Sequence, residues 1–177
     1  QAVSALASVC APIDLAASGA SIGRGFNRQV YTRMFLRTMK RKALAKLAQY
    51  PGLFDRQALL AARDLYEFDN VFTAPLHGFE STEDYWTRAS AKPLMSEIRI
   101  PALAVNALND PFIPASSLPQ KADISAMVTL WQPAHGGHVG FPEGSWPGHV
   151  CGLPERVGRW LLTAACLSLK KTEKSDG

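Results

Sequence analysis

The spacing of apolar and polar positions changes several times along the chain. Residues 2–10, AVSALASVC, are small and apolar and end at Pro12, which predicts a short buried strand. Residues 13–25 read as a loop, with Gly19, Gly23 and Gly25 as breakers. From Asn27 to about Tyr50 the period becomes helical, with Val30, Tyr31, Met34, Phe35, Leu44 and Leu47 on one broad face, and Pro51-Gly52 stops it. A second helix is predicted over 56–67 and a loop over 73–79. A third helix over 81–89 opens with Ser81-Thr82-Glu83-Asp84, a serine cap with acids in the first turn. Two apolar runs then predict buried strands, 100–107 (IPALAVNA) and 127–132 (MVTLWQ). A last helix, 155–169, carries Val157, Trp160, Leu161 and Ala164 at core spacing, before a polar tail expected to fray.

Strand, helical stretch, strand, short helix, strand, helix is the order of an α/β protein with a parallel sheet. Three strands make a thin sheet for a domain that needs cover on both faces, and the chain lacks a starting Met, so a partial domain is the expectation. Composition narrows the picture further. With 47% hydrophobic and 19% charged residues over 177 positions, the chain is globular rather than disordered. A net charge of +4 is too weak to imply a nucleic-acid partner. Three cysteines, Cys10, Cys151 and Cys166, form no disulfide framework and suggest a reducing cytoplasm. The densest apolar run, 160–169, is about half of the ~20 residues a membrane span needs, so stable membrane insertion is not expected.

Two stretches carry candidate chemistry. In Val105 to Pro114, VNALNDPFIP, a strand runs into Asp110-Pro111. An acid there sits at the carboxyl edge of a parallel sheet, where ligands bind, although Asp-Pro also makes an ordinary turn. In Leu130 to Phe141, LWQPAHGGHVGF, His135 and His138 follow the next strand with two glycines between them. They can be surface groups, a general base, or, with His149, metal ligands. Acid after one strand and histidine after the next is the second half of the Ser, Asp/Glu, His order of a hydrolase triad.

The chain resembles the YheT-like branch of the α/β-hydrolases, a group of predicted serine esterases. The resemblance rests on Pro12-Ile13-Asp14-Leu15, Asn27-Arg28, Tyr31-Thr32-Arg33, Phe68-Asp69, Thr73-Ala74-Pro75-Leu76-His77-Gly78-Phe79, Asp84-Tyr85, Asn106-Ala107, Asp110-Pro111-Phe112 and His135-Gly136-Gly137-His138-Val139-Gly140-Phe141. It implies the C-terminal part of an α/β-hydrolase, residues 1–177, with a helical cap insertion at about 27–89 that shapes an acyl pocket. It assigns Asp110 as the triad acid and His138 as the base, with Asn109 a departure where relatives often carry a second Asp. The activity implied is hydrolysis of a small-molecule ester, such as that of an acyl lipid, without a cofactor. The other reading is a binding module that kept the fold and lost the chemistry.

In the family the serine precedes the strand with which this chain begins. Gly19-Ala20-Ser21-Ile22-Gly23 matches G-x-S-x-G by letter, but no buried strand feeds it, and a loop entering the cap is the expectation. Arg33, Arg37, Lys40, Arg41, Lys42 and Lys46 read as a solvated helix face, or as a site for phosphate groups or an anionic membrane surface. His77 reads as a structural hydrogen-bonding group or a wall of the acyl pocket. Trp86, Trp131, Trp146 and Trp160 read as core or pocket walls.

Overall fold

The computed structural model describes residues 3–146 and 148–173, with side chains to residue 166. The chain divides into two compact units, Asp14–Ser90 and the two flanking segments together.

The flanking segments build a parallel sheet in the order β1-β2-β3, from β1 (Leu6–Val9), β2 (Ala102–Val105) and β3 (Val128–Trp131). β2 lies between the other two and is buried at every position, which is why its sequence is a continuous apolar run rather than an alternation. The pleat sends alternate residues to opposite faces. Leu103 and Val105 join Cys10, Ala107 and Phe141 in one core, against which Leu153, Val157 and Trp160 of α5 (Gly152–Glu173) pack. Ala102 and Ala104 join Ile13, Met95 and Val128 in another. α5 continues through residues 170–173, predicted as frayed tail; residues 174–177 lie outside the described residues. No helix among the described residues is long and apolar enough to cross a membrane.

Asp14–Ser90 is helical, and it differs from the sequence expectation in three places. First, the predicted loop 13–25 contains α1 (Leu15–Ile22), started by Asp14, whose carboxylate accepts the Ala17 N–H at 2.9 Å. Gly19 does not break this helix. A Cβ there would meet the Trp86 ring at 2.4 Å, so the glycine makes room for an indole. Second, α2 (Arg33–Gln49) is entered through a π-helical turn, Arg28–Thr32, and the fully buried Thr32 hydroxyl donates to the Ile22 carbonyl at 2.7 Å. Third, the single helix predicted over 56–67 ends early. α3 (Arg56–Ala61) stops at Ala62, and Lys40 donates to the Leu60 and Ala62 carbonyls at its end. Asp64 then caps a new helical run over Leu65–Phe68, which passes through a π turn, Asp69–Thr73, and ends at Leu76 inside the predicted loop. α4 (Thr82–Ala89) starts on Ser81, whose hydroxyl accepts the Asp84 N–H at 3.2 Å, as the sequence predicts.

Two surface expectations also change. Lys40 is half-buried at the end of α3 rather than part of the solvated face, whereas Arg33, Arg37, Arg41, Lys42 and Lys46 are exposed. Trp146 is 95% exposed and walls neither core nor pocket.

Candidate active site

The loops that follow β2 and β3 meet at one edge of the sheet. Past Val105 the chain keeps strand-like pairing for a few residues: Asn106 N–H donates to the Trp131 carbonyl at 3.1 Å, and Leu108 N–H to the Pro133 carbonyl at 2.8 Å. This brings the Asp110 loop alongside the His138 loop. Asp110 then turns back on itself, with its N–H on the Ala107 carbonyl at 3.2 Å and its Oδ1 accepting the Phe112 N–H at 2.8 Å. The Asp-Pro turn and the carboxylate that meets His138 are thus one structure rather than alternatives.

Asp110 Oδ2 lies 2.9 Å from His138 Nδ1. The carboxylate side chain is fully buried and the imidazole 37% exposed. An ionised carboxylate can only accept, so in the neutral imidazole this contact places the ring proton on Nδ1 and the lone pair on Nε2. The ring is also held by Phe112, edge to face at 4.8 Å between centroids.

The histidine loop owes its shape to residues beyond the pair. Asn109 Oδ1 accepts both the Gly136 and Gly137 N–H groups at 2.9 Å, clamping the loop to the acid's own turn. Sequence reasoning saw Asn109 only as a departure from its relatives; its position beside the acid was the available signal. Gly136 has no room for a side chain, since a Cβ would fall 2.7 Å from the Phe141 ring and 2.8 Å from Ala107. Gly137 has a φ of +58°, which glycine adopts without strain.

His135 is exposed and takes no part in the pair; His149 is exposed too, its backbone paired with Glu143. The metal set considered from sequence, His135, His138 and His149, is therefore not assembled. Among the described residues, the group with ligand atoms close enough to hold an ion is Cys10, Asp110 and His138, all within 4.8 Å of one another. Cys10, at the end of β1, is a buried free thiol that sequence reasoning passed over. Burial and the nearby Asp110 carboxylate push its pKa up to about 11.

Ser21 lies in the last turn of α1, preceded by helix rather than by a strand, so the letter match at Gly19 to Gly23 does not form an elbow. His77 is exposed, with Nδ1 at 2.9 Å from the Thr73 carbonyl.

A parallel sheet with an acid after one strand, hydrogen-bonded to a histidine after the next, defines the α/β-hydrolase class. YheT of Escherichia coli (strain K12), provisionally named an esterase, is 36% identical over 163 residues, 91% of this chain and 48% of its own length. Over most of its length the chain is similar to the YheT-like α/β-hydrolases, and its parallel sheet with helices has the α/β-hydrolase fold. Phospholipase ABHD3 of Mus musculus is 36% identical over 62% of this chain and 27% of its own length. A monoacylglycerol lipase of Saccharomyces cerevisiae is 28% identical over 75% of this chain and 28% of its own length. The chain thus spans about half of YheT (48%) and less than a third of the other two (27% and 28%). No family model and no solved structure matches it.

Proposed function

We propose that this chain supplies the acid and base of a serine-dependent carboxylic ester hydrolase. The observation that carries the reading is the 2.9 Å contact between the buried Asp110 carboxylate and His138 Nδ1 at the carboxyl edge of the sheet. His138 Nε2 takes the proton from a serine hydroxyl as its oxygen attacks the ester carbonyl, then returns it to the departing alcohol. Asp110 stabilises the imidazolium between these steps. Water, activated by the same nitrogen, releases the acid from the acyl-enzyme. We assign the serine and the oxyanion donors to the part of the longer relatives that these 177 residues do not span. The inserted helices of Asp14–Ser90 are the cap unit in this reading. Relatives named phospholipase and monoacylglycerol lipase favour an acyl lipid as the ester, and three free thiols suit a reducing cytoplasm.

The test is steady-state ester hydrolysis by the full-length protein. His138→Ala is expected to lower the rate by on the order of 10⁴ to 10⁶, and Asp110→Asn severely, because an amide can favour the wrong imidazole tautomer. His135→Ala should retain most activity. A larger loss in His135→Ala than in His138→Ala would overturn the assignment. Undiminished hydrolysis in Asp110→Asn would remove Asp110 as the acid, and absence of hydrolysis in the wild type would favour a binding module.

A further inference from the structure

The helical unit contains a cavity of about 720 Å³, within the ~300–1,000 Å³ typical of small-molecule sites. One wall is a stripe of α2: Met39, Lys42, Ala43, Lys46 and then Tyr50 recur at helical spacing. The facing wall is Phe68, Phe72 and Leu76, spaced four apart along the run that ends at Leu76. Phe72 is fixed there by Phe54 and Phe68, at 5.1 and 5.3 Å between ring centroids. The walls are therefore apolar and preformed.

The charges in this cavity have one sign. Lys42 and Lys46 stand one turn apart, and like charges at that spacing repel each other. No carboxylate lines the cavity, and neither lysine forms an ion pair among the described residues. Lys46 Nζ lies 4.5 Å from the centre of the Tyr50 ring, which orients the ammonium without neutralising it. His77 and Thr73 add polar groups to the lining, titratable and uncharged respectively, but no negative charge. An apolar ligand would leave the lysines repelling; a small anion would leave the aromatic walls wet.

We propose that this cavity binds a single-chain amphiphile: an alkyl chain between α2 and the Phe68 to Leu76 run, with a carboxylate or phosphate head group on Lys42 and Lys46. The inference does not depend on ester hydrolysis, and binding is read without turnover.

The test is calorimetric titration of the full-length protein, below micellar concentrations, with laurate, dodecyl phosphate, dodecanol and inorganic phosphate. Laurate or dodecyl phosphate should bind at least about tenfold tighter than dodecanol, with no measurable binding of phosphate alone. The better of the two anions identifies the head group. The double variant Lys42→Gln/Lys46→Gln should abolish that tenfold preference and leave dodecanol unchanged. Phe72→Trp, which fills the cavity, should weaken all three alkyl ligands. Equal binding of laurate and dodecanol, or a preference surviving in the Gln variant, would overturn the proposal. So would sedimentation with phosphatidylglycerol vesicles that Phe72→Trp leaves intact, since it would assign the lysines to a membrane surface. His138→Ala separates the two readings, because it should lose hydrolysis and keep laurate binding.

Discussion

Cys10 directly follows β1 with a φ of 51°, a left-handed conformation that a residue with a Cβ rarely adopts. Its N–H is held by the Val105 carbonyl at 2.7 Å, and its side chain is 97% removed from solvent at 3% exposure. Two effects act against the thiolate: burial first, then the negative field of Asp110. With a pKa of about 11, only about a thousandth of the group is ionised at pH 8, and the thiolate is the reactive form. Iodoacetamide at pH 8 is therefore expected to modify the exposed Cys151 and Cys166 and to spare Cys10 until the protein is unfolded. Peptide mapping by mass spectrometry reads this directly. Asp110→Asn removes one of the two causes and should speed Cys10 modification in the folded state. Alkylation of native Cys10 as fast as of Cys151 would show that the thiol is neither buried nor disfavoured. The same scale explains the HGGH loop. His138 is placed by its carboxylate, but the loop that presents it is placed by Asn109 and by the lack of a side chain at Gly136.

Among the elements, α1 is held by a contact that no local pattern announces. Trp86 on α4 lies against Gly19, and its indole is pinned by Nε1–H donating to Asp69 Oδ2 at 2.8 Å. Burial raises the Asp69 pKa, opposed by this bond and by the Thr73 hydroxyl at 2.6 Å. Gly19→Ala would gain about 1 kcal/mol of helix propensity. It would also drive a methyl group into a fixed ring, where overpacking costs about 1–3 kcal/mol. The net expectation is a destabilisation of roughly 1 kcal/mol in urea unfolding, with a changed near-ultraviolet tryptophan signal. A gain in stability with an unchanged tryptophan signal would show that the contact is slack. This contact also marks where sequence reading ends. The strands leading to Asp110 and His138 were legible because β2 is a continuous apolar run and both motifs follow strand ends. α4 was legible because Ser81 is a local cap. Gly19 looks like a breaker until Trp86, distant in sequence, is seen to fill the space. The helix break at Ala62 and the lysine cavity depend likewise on pairings between segments: Lys40 with the end of α3, and Lys42 and Lys46 with the Phe68 to Leu76 wall.

At the scale of the whole molecule, the proposed ester hydrolysis turns on which serine would meet His138. A nucleophile elbow is a strand feeding a sharp turn into a helix, so that the serine stands clear of the backbone at the sheet edge. Of the three strands among the described residues, β1 leads through Cys10 to the Asp14 cap, β2 to Asp110 and β3 to the histidine loop. None feeds a G-x-S-x-G turn, and the one such string, Gly19 to Gly23, runs through the end of α1. A fluorophosphonate probe needs a serine activated by a base and gains from an oxyanion hole. These 177 residues alone are therefore expected not to label, while the full-length protein labels at one serine outside them. Mass spectrometry of the adduct locates it, and His138→Ala should suppress it. An adduct on Ser21 in either protein would overturn the assignment, since Ser21 lies inside a helix rather than on a nucleophile elbow. An adduct in the full-length protein that survives His138→Ala would mean that a different base activates the serine, leaving the Asp110–His138 pair without the role its geometry suits.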